Sequence, residues 1–361
     1  MKNYRLGNFY EKVQKKYPSF PFSAQVELTY RCDLDCVHCY CKGLESKEEE
    51  LTTNEFKIIF DEIRRQGCLW LTLTGGEPLI REDFLEIYSY AKRKGFIISI
   101  FTNGQFFNKK TINFLAKAPP HSIEVTLNGI TTSTYESISR VNGSFSRVIE
   151  NIKDSAKKKL PIVIKANLLK QNKEEIVRIK RWVENVLGKP PGKHFFKYDP
   201  IIYPRLDGNK APCKYRLTYK QMVNALKDDE DLWQQNIEGF HIDTSGLQMS
   251  PDHLYHCDSW LRQFFINPYG ELKFCLFSDK FSASLKEKTF EEIFYNRIPC
   301  ISQEKFKTVS LCRSCRLRPI CCWCPPKAYI ETGNEEKPVE YYCRLVRAVD
   351  KEAKRLQGAS A

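Results

Sequence analysis

The chain has 361 residues, of which 42% are hydrophobic, and it carries a formal net charge of +13. This length suffices for two domains with buried cores. No apolar run approaches the roughly 18 residues of a membrane span, and residues 1–20 lack the apolar segment of a secretory signal. The sequence therefore predicts a globular, cytoplasmic protein with no membrane partner.

The positive charge is dispersed in short runs such as Lys157-Lys158-Lys159, at the end of a predicted helix, where cations are favourable. A nucleic-acid partner is therefore not expected. Cysteine is unusually frequent, with 15 residues. Without a secretory signal, so many thiols predict metal or cluster ligation in a reducing compartment instead of disulfide bonds.

The first predicted strand leads into a group of cysteines. Residues Ala24–Thr29 have the apolar pattern of a buried β-strand. The cysteines that follow are spaced C-x3-C-x2-C: Cys32, Cys36 and Cys39. Because a four-iron cubane takes four ligands, three thiolates would leave one iron open for a small molecule. The alternative is a structural zinc knuckle, with His38 or Cys41 as the fourth ligand.

Strands and helices then alternate along the first two hundred residues or so. The predicted strands are Ala24–Thr29, Leu69–Thr74, Ile97–Thr102, Ser122–Leu127, Ile162–Asn167 and His194–Asp199. The predicted helices are Thr53–Gly67, Glu82–Lys94, Lys109–Lys117, Phe145–Lys159, Lys173–Val186 and, further on, Tyr219–Leu226. This alternation predicts an α/β fold with a parallel sheet, and too few units for a closed eight-stranded barrel. We therefore expect an open, TIM-like partial (β/α)6 barrel.

The second predicted strand ends in Gly75-Gly76-Glu77-Pro78. Two glycines at a strand end let the backbone approach a ligand closely. Glu77 supplies a carboxylate that can bind an ammonium group. Taken alone, this motif is equally typical of a turn.

The cysteine loop, followed one strand later by GGEP, resembles the radical S-adenosylmethionine (SAM) superfamily. The resemblance implies a four-iron cluster on Cys32, Cys36 and Cys39, with the amine and carboxylate of SAM on the open iron. Glu77 and the Gly75-Gly76 backbone would hold the methionyl ammonium. Electron transfer would then cleave SAM to methionine and a 5′-deoxyadenosyl radical, which removes a hydrogen atom from the substrate.

Polar residues lie at the ends of later predicted strands and are expected around one cavity. Asn103, Asn128 and Lys165 are interpreted, through the resemblance, as contacts of SAM or of the substrate, although turn or capping roles fit them as well. His38 occupies the position where the family often has an aromatic residue beside the adenine. Arg205, in the loop after the sixth strand, is a candidate for binding the SAM carboxylate or the substrate backbone, with a solvated loop as the alternative.

A second cysteine-rich region follows. The segment Phe264–Phe274 predicts a hairpin with an Asn-Pro-Tyr-Gly turn, which would bring Cys257 and Cys275 together. Six further cysteines follow: Cys312, Cys315, Cys321, Cys322, Cys324 and Cys343. One interpretation is a zinc ribbon with Cys312/Cys315 and Cys321/Cys324 as its two pairs.

The full pattern, C-x12-G-x4-C followed by C-x2-C-x5-C-x2-C and a final cysteine, resembles the SPASM extension of radical SAM enzymes. That extension holds up to two auxiliary four-iron clusters. The resemblance implies that the cluster nearer the barrel is held by Cys257, Cys275 and Cys324. It implies that the distal cluster is held by Cys312, Cys315, Cys321 and Cys343. The family's usual last spacing is C-x3-C, so Cys322 is a rival ligand. The fourth proximal ligand is left open between Cys300, a non-cysteine group and the substrate itself. Cys213 has no other cysteine near it in the sequence, and it is expected either to pack against other side chains or to face the substrate.

These observations predict five segments: an N-terminal extension (1–20), a radical SAM partial barrel (21–208), a connector (209–250), a SPASM domain (251–345) and a C-terminal tail (346–361). The resemblance implies a maturase that acts on a ribosomally made peptide or protein. Its expected partners are that precursor and a reductant such as flavodoxin or ferredoxin. Since few residues precede the barrel, a separate protein is expected to bind the leader peptide, unless the leader docks elsewhere.

Three other functions fit the same pattern. A haem-biosynthesis enzyme acting on a tetrapyrrole has a similar cysteine loop. A sulfatase-type formylglycine maturase has the same architecture, but it requires an Asp general base where this sequence has Leu276. A non-catalytic iron–sulfur carrier is disfavoured by the intact GGEP motif, since a carrier has no use for SAM.

Overall fold

The structure, a computed structural model, describes residues 16–17, 19–45, 48–188, 195–228 and 252–359. Its strands are β1 (Ser23–Glu27), β2 (Trp70–Thr74), β3 (Ile97–Thr102), β4 (Ser122–Thr126), β5 (Ile162–Asn167), β6 (Phe196–Asp199), β7 (Gln263–Ile266), β8 (Glu271–Lys273) and β9 (Ala283–Ser284). They form one sheet in the order β6-β5-β4-β3-β2-β1-β7-β8-β9. Strands β1 to β6 pair in parallel with their chain neighbours, which confirms the predicted α/β partial barrel.

The helices pack on the outside of this sheet. In the described chain they are α1 (Thr53–Arg65), α2 (Phe84–Arg93), α3 (Lys109–Lys117), α4 (Thr132–Ser139), α5 (Ser144–Lys157), α6 (Ile176–Leu187), α7 (Tyr219–Lys227), α8 (Pro325–Thr332) and α9 (Glu340–Ala359). None of these described helices combines the length and the apolar character needed to cross a bilayer.

Successive side chains of each strand point to opposite faces of the sheet. In β3, Ile98 and Ile100 are fully buried in the core shared with the helices. Phe101 and Asn103 come from the opposite face and line an internal cavity. Because side chains in a strand point to alternate faces, polar residues at the strand ends are carried to one place inside the barrel.

Most predicted elements are observed, with shifted ends. β3, β5 and α3 have the predicted bounds. Helix α1 begins with a capping box in which the Thr52 side chain accepts from the Glu55 amide while the Glu55 carboxylate accepts from the Thr52 amide. His194, the predicted start of β6, lies outside the described residues. So do residues 229–251, which include the second half of the predicted connector.

Helix α4 was not predicted. Its sequence, TSTYESIS, is rich in Ser and Thr, which compete with the helix for backbone hydrogen bonds. The structure supplies the missing stabilisation from a distant residue. The Glu175 carboxylate accepts from the Ile130 amide at 2.7 Å and from the hydroxyls of Thr131 and Thr134 at 2.8 Å each. This anion at the helix N-terminus also favours the helix dipole.

The predicted hairpin is observed as β7 and β8, with Gly270 at φ +90° in its turn. Strand β7 also pairs in parallel with β1, which the sequence did not indicate. The C-terminal cysteine region therefore extends the same sheet as the barrel. The predicted boundaries at 208 and 251 stay predictions, but backbone hydrogen bonds connect the segments on either side of them.

A buried ion pair fastens the connector to the C-terminal helices. Arg216 is 7% exposed, and its two Nη atoms lie 2.6 and 2.7 Å from the carboxylate oxygens of Glu331 in α8. Its Nε donates to the Ile202 carbonyl at 2.6 Å. Replacing Arg216 with Met leaves the Glu331 carboxylate buried without its partner. We expect the free energy of unfolding to fall by about 3–5 kcal/mol, measured by urea denaturation.

Arg344→Met is the matched control, because Arg344 pairs with Glu340 in α9 while both side chains are mostly exposed, at 61% and 77%. Exposed pairs contribute about 0–1 kcal/mol, so this variant should unfold almost as the parent does. Equal, small effects of the two substitutions would show that the Arg216 pair does not hold the segments together.

Candidate active site

The cysteine loop follows β1 directly and is shaped by its own backbone and by β3. The Cys39 amide donates to the Cys36 carbonyl at 3.1 Å, which closes a turn between these two cysteines. From the end of β3, the Asn103 side-chain amide donates to Asp33 at 2.8 Å and lies 3.6 Å from Cys32 Sγ. The loop is thereby fixed to the strand end that faces the barrel interior.

Helix α4 holds the other side of this loop. The amides of Asp35 and Val37 donate to the carbonyls of Ser139 and Ile138, at 2.9 and 3.0 Å. These carbonyls are free to accept because they lie at the last turn of the helix. The helix that sequence patterns miss therefore positions Cys36, between the two donors. No local signal in residues 132–139 indicates this role.

One cavity of about 320 Å³ opens at the carboxyl ends of the parallel strands. This is the edge where α/β barrels bind ligands, and the volume suits a small-molecule site. The predicted site residues that line it are Cys32, Cys36, His38, Cys39, Gly75, Gly76, Asn103, Asn128 and Lys165. Sequence reasoning did not single out Phe101, Tyr203 or Phe277, which line it as well.

The two glycines bring the end of β2 against the start of the cysteine loop. The Gly76 amide donates to the Thr29 carbonyl at 2.7 Å. A Cβ on Gly75 would lie 2.2 Å from the Thr29 oxygen, and one on Gly76 would lie 2.5 Å from the oxygens of both Tyr30 and Arg31. The sequence predicted close approach to a ligand; the structure adds that backbone contact between two loops itself requires glycine here.

Glu77 is fully buried and does not line the cavity. Its carboxylate accepts from the Leu79 amide at 3.0 Å, the Thr102 hydroxyl at 2.8 Å and the Asn103 amide at 2.6 Å. Burial raises its pKa to about 7, against the lowering effect of these donors. Glu77 therefore ties the ends of β2 and β3 together. Its predicted contact with a methionyl ammonium stays a prediction.

His38 lies beside Asn128 inside the cavity. Its Nε2 is 3.3 Å from the Asn128 side-chain nitrogen, and its buried Nδ1 has no partner in the described chain. Burial lowers the pKa of His38 to about 4, so the ring is neutral near pH 7. Asn128 in turn accepts from the Asn167 amide at 2.7 Å. A neutral ring with a free nitrogen is suited to a polar heterocyclic ligand.

The two predicted cationic residues differ in position. Lys165 lines the cavity, with its ammonium 4.8 Å from the centre of the Phe101 ring. Arg205 is absent from the cavity wall but lies near the cysteine loop: the pKa of Cys39 is lowered chiefly by its hydrogen bond with Cys41, and Arg205 lowers it further. Its buried Nε has no hydrogen-bond partner among the described residues.

The donors in the loop fit an iron–sulfur cluster. Thiolates are the ligands that hold such clusters, and the three thiols converge on one cavity. Burial raises the pKa of Cys36, and Cys39 and Cys32 raise it further, as expected for thiols that share one site. Within the described ranges, no three His, Cys, Asp or Glu side chains are grouped closely enough to hold a single metal ion.

The assignment of the C-terminal cysteines to two cluster-binding groups stays a prediction, but thiols within each predicted group raise one another's pKa values. Burial raises the pKa of Cys275 to about 12, and nearby Cys324 and Cys257 add to this increase. In the second group, burial raises the pKa of Cys312 to about 11, with additions from Cys343 and Cys315. Burial raises the pKa of Cys321 to about 12, and Cys322 adds to this increase, followed by Cys343 and Cys312 of the predicted distal group.

The remaining cysteines differ in position. Cys322 adjoins both predicted groups, since it contributes to raising the pKa of Cys321 and of Cys324. Burial raises the pKa of Cys322 itself, with a lowering effect of Lys327 and a further increase from Asp199. Cys300 is exposed, and its thiol donates to the Asn296 carbonyl at 3.6 Å. Cys213 lines a separate surface cavity with Arg216 and thus does not face the barrel interior.

Residues 26–183 match the family model described as the radical SAM superfamily. This match assigns residues 26–183 to the radical SAM superfamily. Proteins of this superfamily carry a four-iron cluster and bind SAM, and the cysteine loop is where this chain would hold them.

Two curated relatives align over most of this radical SAM protein. It is 26% identical over 347 residues to the AdoMet-dependent heme synthase of Methanosarcina barkeri, an alignment that covers 88% of this chain and 94% of that protein. It is 25% identical over 307 residues to mycofactocin maturase MftC of Mycolicibacterium smegmatis, covering 82% and 75% respectively.

Solved structures share the fold of this radical SAM chain. Streptococcus suis SuiB bound to precursor peptide SuiA superposes with a TM-score of 0.70 at 20% identity, covering 93% of this chain and 79% of SuiB. Native anSMEcpe with bound AdoMet has a TM-score of 0.70 at 16% identity, covering 94% of this chain and 99% of that one. The C-terminal cysteine region lies within the shared part, because the superposition covers nearly the whole chain.

Proposed function

We propose that this radical SAM enzyme modifies a ribosomally made peptide or protein. The observation that carries the proposal is the shared cavity. The three thiols of the cysteine loop line it together with Leu276 and Phe277, which directly follow Cys275 of the C-terminal region. A substrate in this cavity would lie between the SAM site and the auxiliary cysteines.

Each part of the cavity has a proposed task. Cys32, Cys36 and Cys39 hold the cluster, and the Gly75-Gly76 backbone and Asn103 bind the methionyl end of SAM. His38 and Asn128 bind the nucleoside end. When bound, the reduced cluster and SAM supply a 5′-deoxyadenosyl radical that removes a hydrogen atom from the substrate. The apolar side chains of Phe101, Leu276 and Phe277 exclude water from this volume.

The remaining polar groups are proposed to orient the substrate. Lys165 has no acidic partner within ion-pair distance in the described chain, so it can bind an anionic group of the substrate or the SAM carboxylate. Asp199 lines the same cavity, and burial raises its pKa. The proximal and distal cysteine groups would hold auxiliary clusters that accept or deliver electrons.

The substrate class rests on relatives of this chain. MftC is named a maturase, and the structure of SuiB contains a precursor peptide. We place the enzyme in the cytoplasm, with a precursor peptide, a flavodoxin or ferredoxin as reductant, and a separate leader-binding protein as partners. The reaction is a crosslink, an epimerisation or an excision.

A tetrapyrrole-modifying enzyme is the second candidate. The observation that favours it is the alignment with AdoMet-dependent heme synthase, which spans 94% of that protein. A formylglycine-forming enzyme is disfavoured, because Leu276 lines the cavity at the position where such an enzyme requires a carboxylate base. A simple electron carrier would not need the SAM cavity.

One anaerobic experiment separates these functions. Cluster-loaded protein is incubated with SAM and dithionite, together with either the peptide encoded beside its gene or a tetrapyrrole carrying carboxylate side chains. We expect 5′-deoxyadenosine, and a mass change in the peptide alone. A mass change in the tetrapyrrole alone would support the second candidate, and no 5′-deoxyadenosine with either would leave only the carrier.

A further inference from the structure

A short loop before the distal cysteines exposes two apolar side chains. Val309 is 101% exposed and Leu311 is 78% exposed, while Ser310 between them is buried. Other exposed apolar residues, such as Ile58 at 66%, stand singly on helix surfaces. Two large apolar groups side by side in water are unfavourable and mark an interaction site more often than scattered ones do.

The loop is held in place by a dedicated carboxylate. Glu336 accepts from the Lys307 amide at 2.7 Å and from the Thr308 amide at 2.8 Å. The Ser310 hydroxyl donates to the Glu336 carbonyl at 2.5 Å and accepts from the Cys312 amide at 3.1 Å. The exposed side chains therefore belong to a rigid platform, pre-organised for a partner.

This platform adjoins the distal cysteine group. Leu311 directly precedes Cys312, and Cys315 in the same group is exposed. A four-iron cluster held by these cysteines would be attached to the chain directly after the platform, at a site that reaches the surface at Cys315. The argument rests here on the proposed function, since it uses the proposed distal cluster.

Positive charge lies on the segments that form and adjoin the platform. Four exposed cations take part in no ion pair within the described chain: Lys305, Lys307, Lys337 and Arg347. Burial raises the pKa of Cys343, and Arg347 acts against this increase, so it lies near the predicted distal group. Two carboxylates of the same region are already paired, Asp252 with Arg313 and Asp350 with Arg316. The region thus combines two exposed apolar side chains with unpaired cations.

We infer that this face docks an acidic one-electron carrier protein, which would reduce a four-iron cluster held by the distal cysteines. The carrier would lose one electron and the cluster would gain one, with no bond or proton transferred. A small apolar contact with complementary charge suits a transient redox encounter, which needs little buried area. Complementary charge would act mainly on the association rate.

The test uses the full, cluster-loaded chain and an acidic flavodoxin reduced photochemically as probe. Stopped-flow bleaching of cluster absorbance gives the second-order rate constant of reduction. For the double variant V309S/L311S we expect a rate constant about 10-fold lower, equivalent to roughly 1.4 kcal/mol. For K307E/K337E we expect a similar loss at low salt, with a weaker salt dependence than the parent has.

Two controls keep the result specific. Reduction by dithionite, a small molecule that needs no docking face, should proceed equally in all variants. Ile58→Ser removes another exposed apolar side chain, on α1, and should leave the flavodoxin rate unchanged. Because the readout is cluster bleaching, failure to modify any peptide would not affect it.

Three results would overturn the inference. Unchanged flavodoxin rates in both double variants would show that the carrier docks elsewhere. Equal slowing with dithionite would show a damaged cluster site. Loss of self-association or of precursor binding, at an unchanged flavodoxin rate, would assign the platform to a second copy or to the peptide.

Discussion

Replacement of Cys36 by alanine should lower the rate of 5′-deoxyadenosine formation by about 1,000-fold, equivalent to roughly 4 kcal/mol in the barrier. Cys36 contributes one of three thiolates, and α4 holds its loop through the amides of Asp35 and Val37. With two thiolates left, the cubane has no secure attachment in the barrel. The measurements are iron content, which should fall by about four atoms per chain, and chromatographic assay of 5′-deoxyadenosine with SAM and dithionite.

Cys213→Ala is the matched control, because Cys213 lies in a separate surface cavity with Arg216. Its iron content and its SAM cleavage should equal those of the parent. If Cys36→Ala retained all of its iron and cleaved SAM normally, the cysteine loop would not be the cluster site, and the proposed chemistry would lose its basis.

The parallel sheet could be predicted because its strands are apolar and end in recognisable turn residues. β3 and β5 have the predicted bounds, and α6 ends at the cap residue Gly188, with φ +84°, two residues after the predicted helix end at Val186. Helix α4 could not be predicted, because Glu175, some forty residues further along the chain, stabilises it. The pairing of β7 with β1 was equally hidden, since no local pattern specifies the partner of a strand.

The candidate site, like the fold, could be predicted only in part. Motif spacing identified the three cysteines of the loop, the glycine pair and Glu77. The structure places all of these except Glu77 around one cavity. Spacing could not show that the Glu77 carboxylate is fully buried and bonded to Thr102 and the backbone, behind residues that line this cavity. Nor could it indicate Tyr203 and Phe277, whose rings stand 4.9 Å apart and close the cavity from distant parts of the chain.

The shared sheet connects the two cysteine regions physically. Because β7 pairs with β1, the segment that ends in Cys275 is fixed by hydrogen bonds next to the strand that leads into the cysteine loop. Lys327, at the start of α8, donates to the Tyr203 hydroxyl at 3.1 Å and so connects the C-terminal region to the loop that follows β6. A change where the segments that follow β1 and β2 contact each other is therefore expected to disturb both cysteine regions.

Gly76 is the residue where such a change should be most severe. Gly76→Ala places a Cβ 2.5 Å from the carbonyl oxygens of Tyr30 and Arg31, both of which are backbone atoms that cannot rotate away. Relief requires the end of β2 to move from the cysteine loop, breaking the bond from the Gly76 amide to Thr29. We expect a loss of about 3 kcal/mol or more in the free energy of unfolding. SAM affinity, measured by anaerobic calorimetry, should fall at least about 10-fold, equivalent to 1.4 kcal/mol.

Gly143→Ala separates this steric clash from ordinary backbone strain. Gly143 has φ +77°, and a Cβ there would meet nothing within 4 Å. Its replacement should cost only the left-handed strain of about 1–2 kcal/mol, with SAM affinity unchanged. Equal effects of the two substitutions would mean that the contact between β2 and the cysteine loop tolerates a side chain. The glycine pair would then be explained by ligand approach alone, because contact between the two loops would no longer require it.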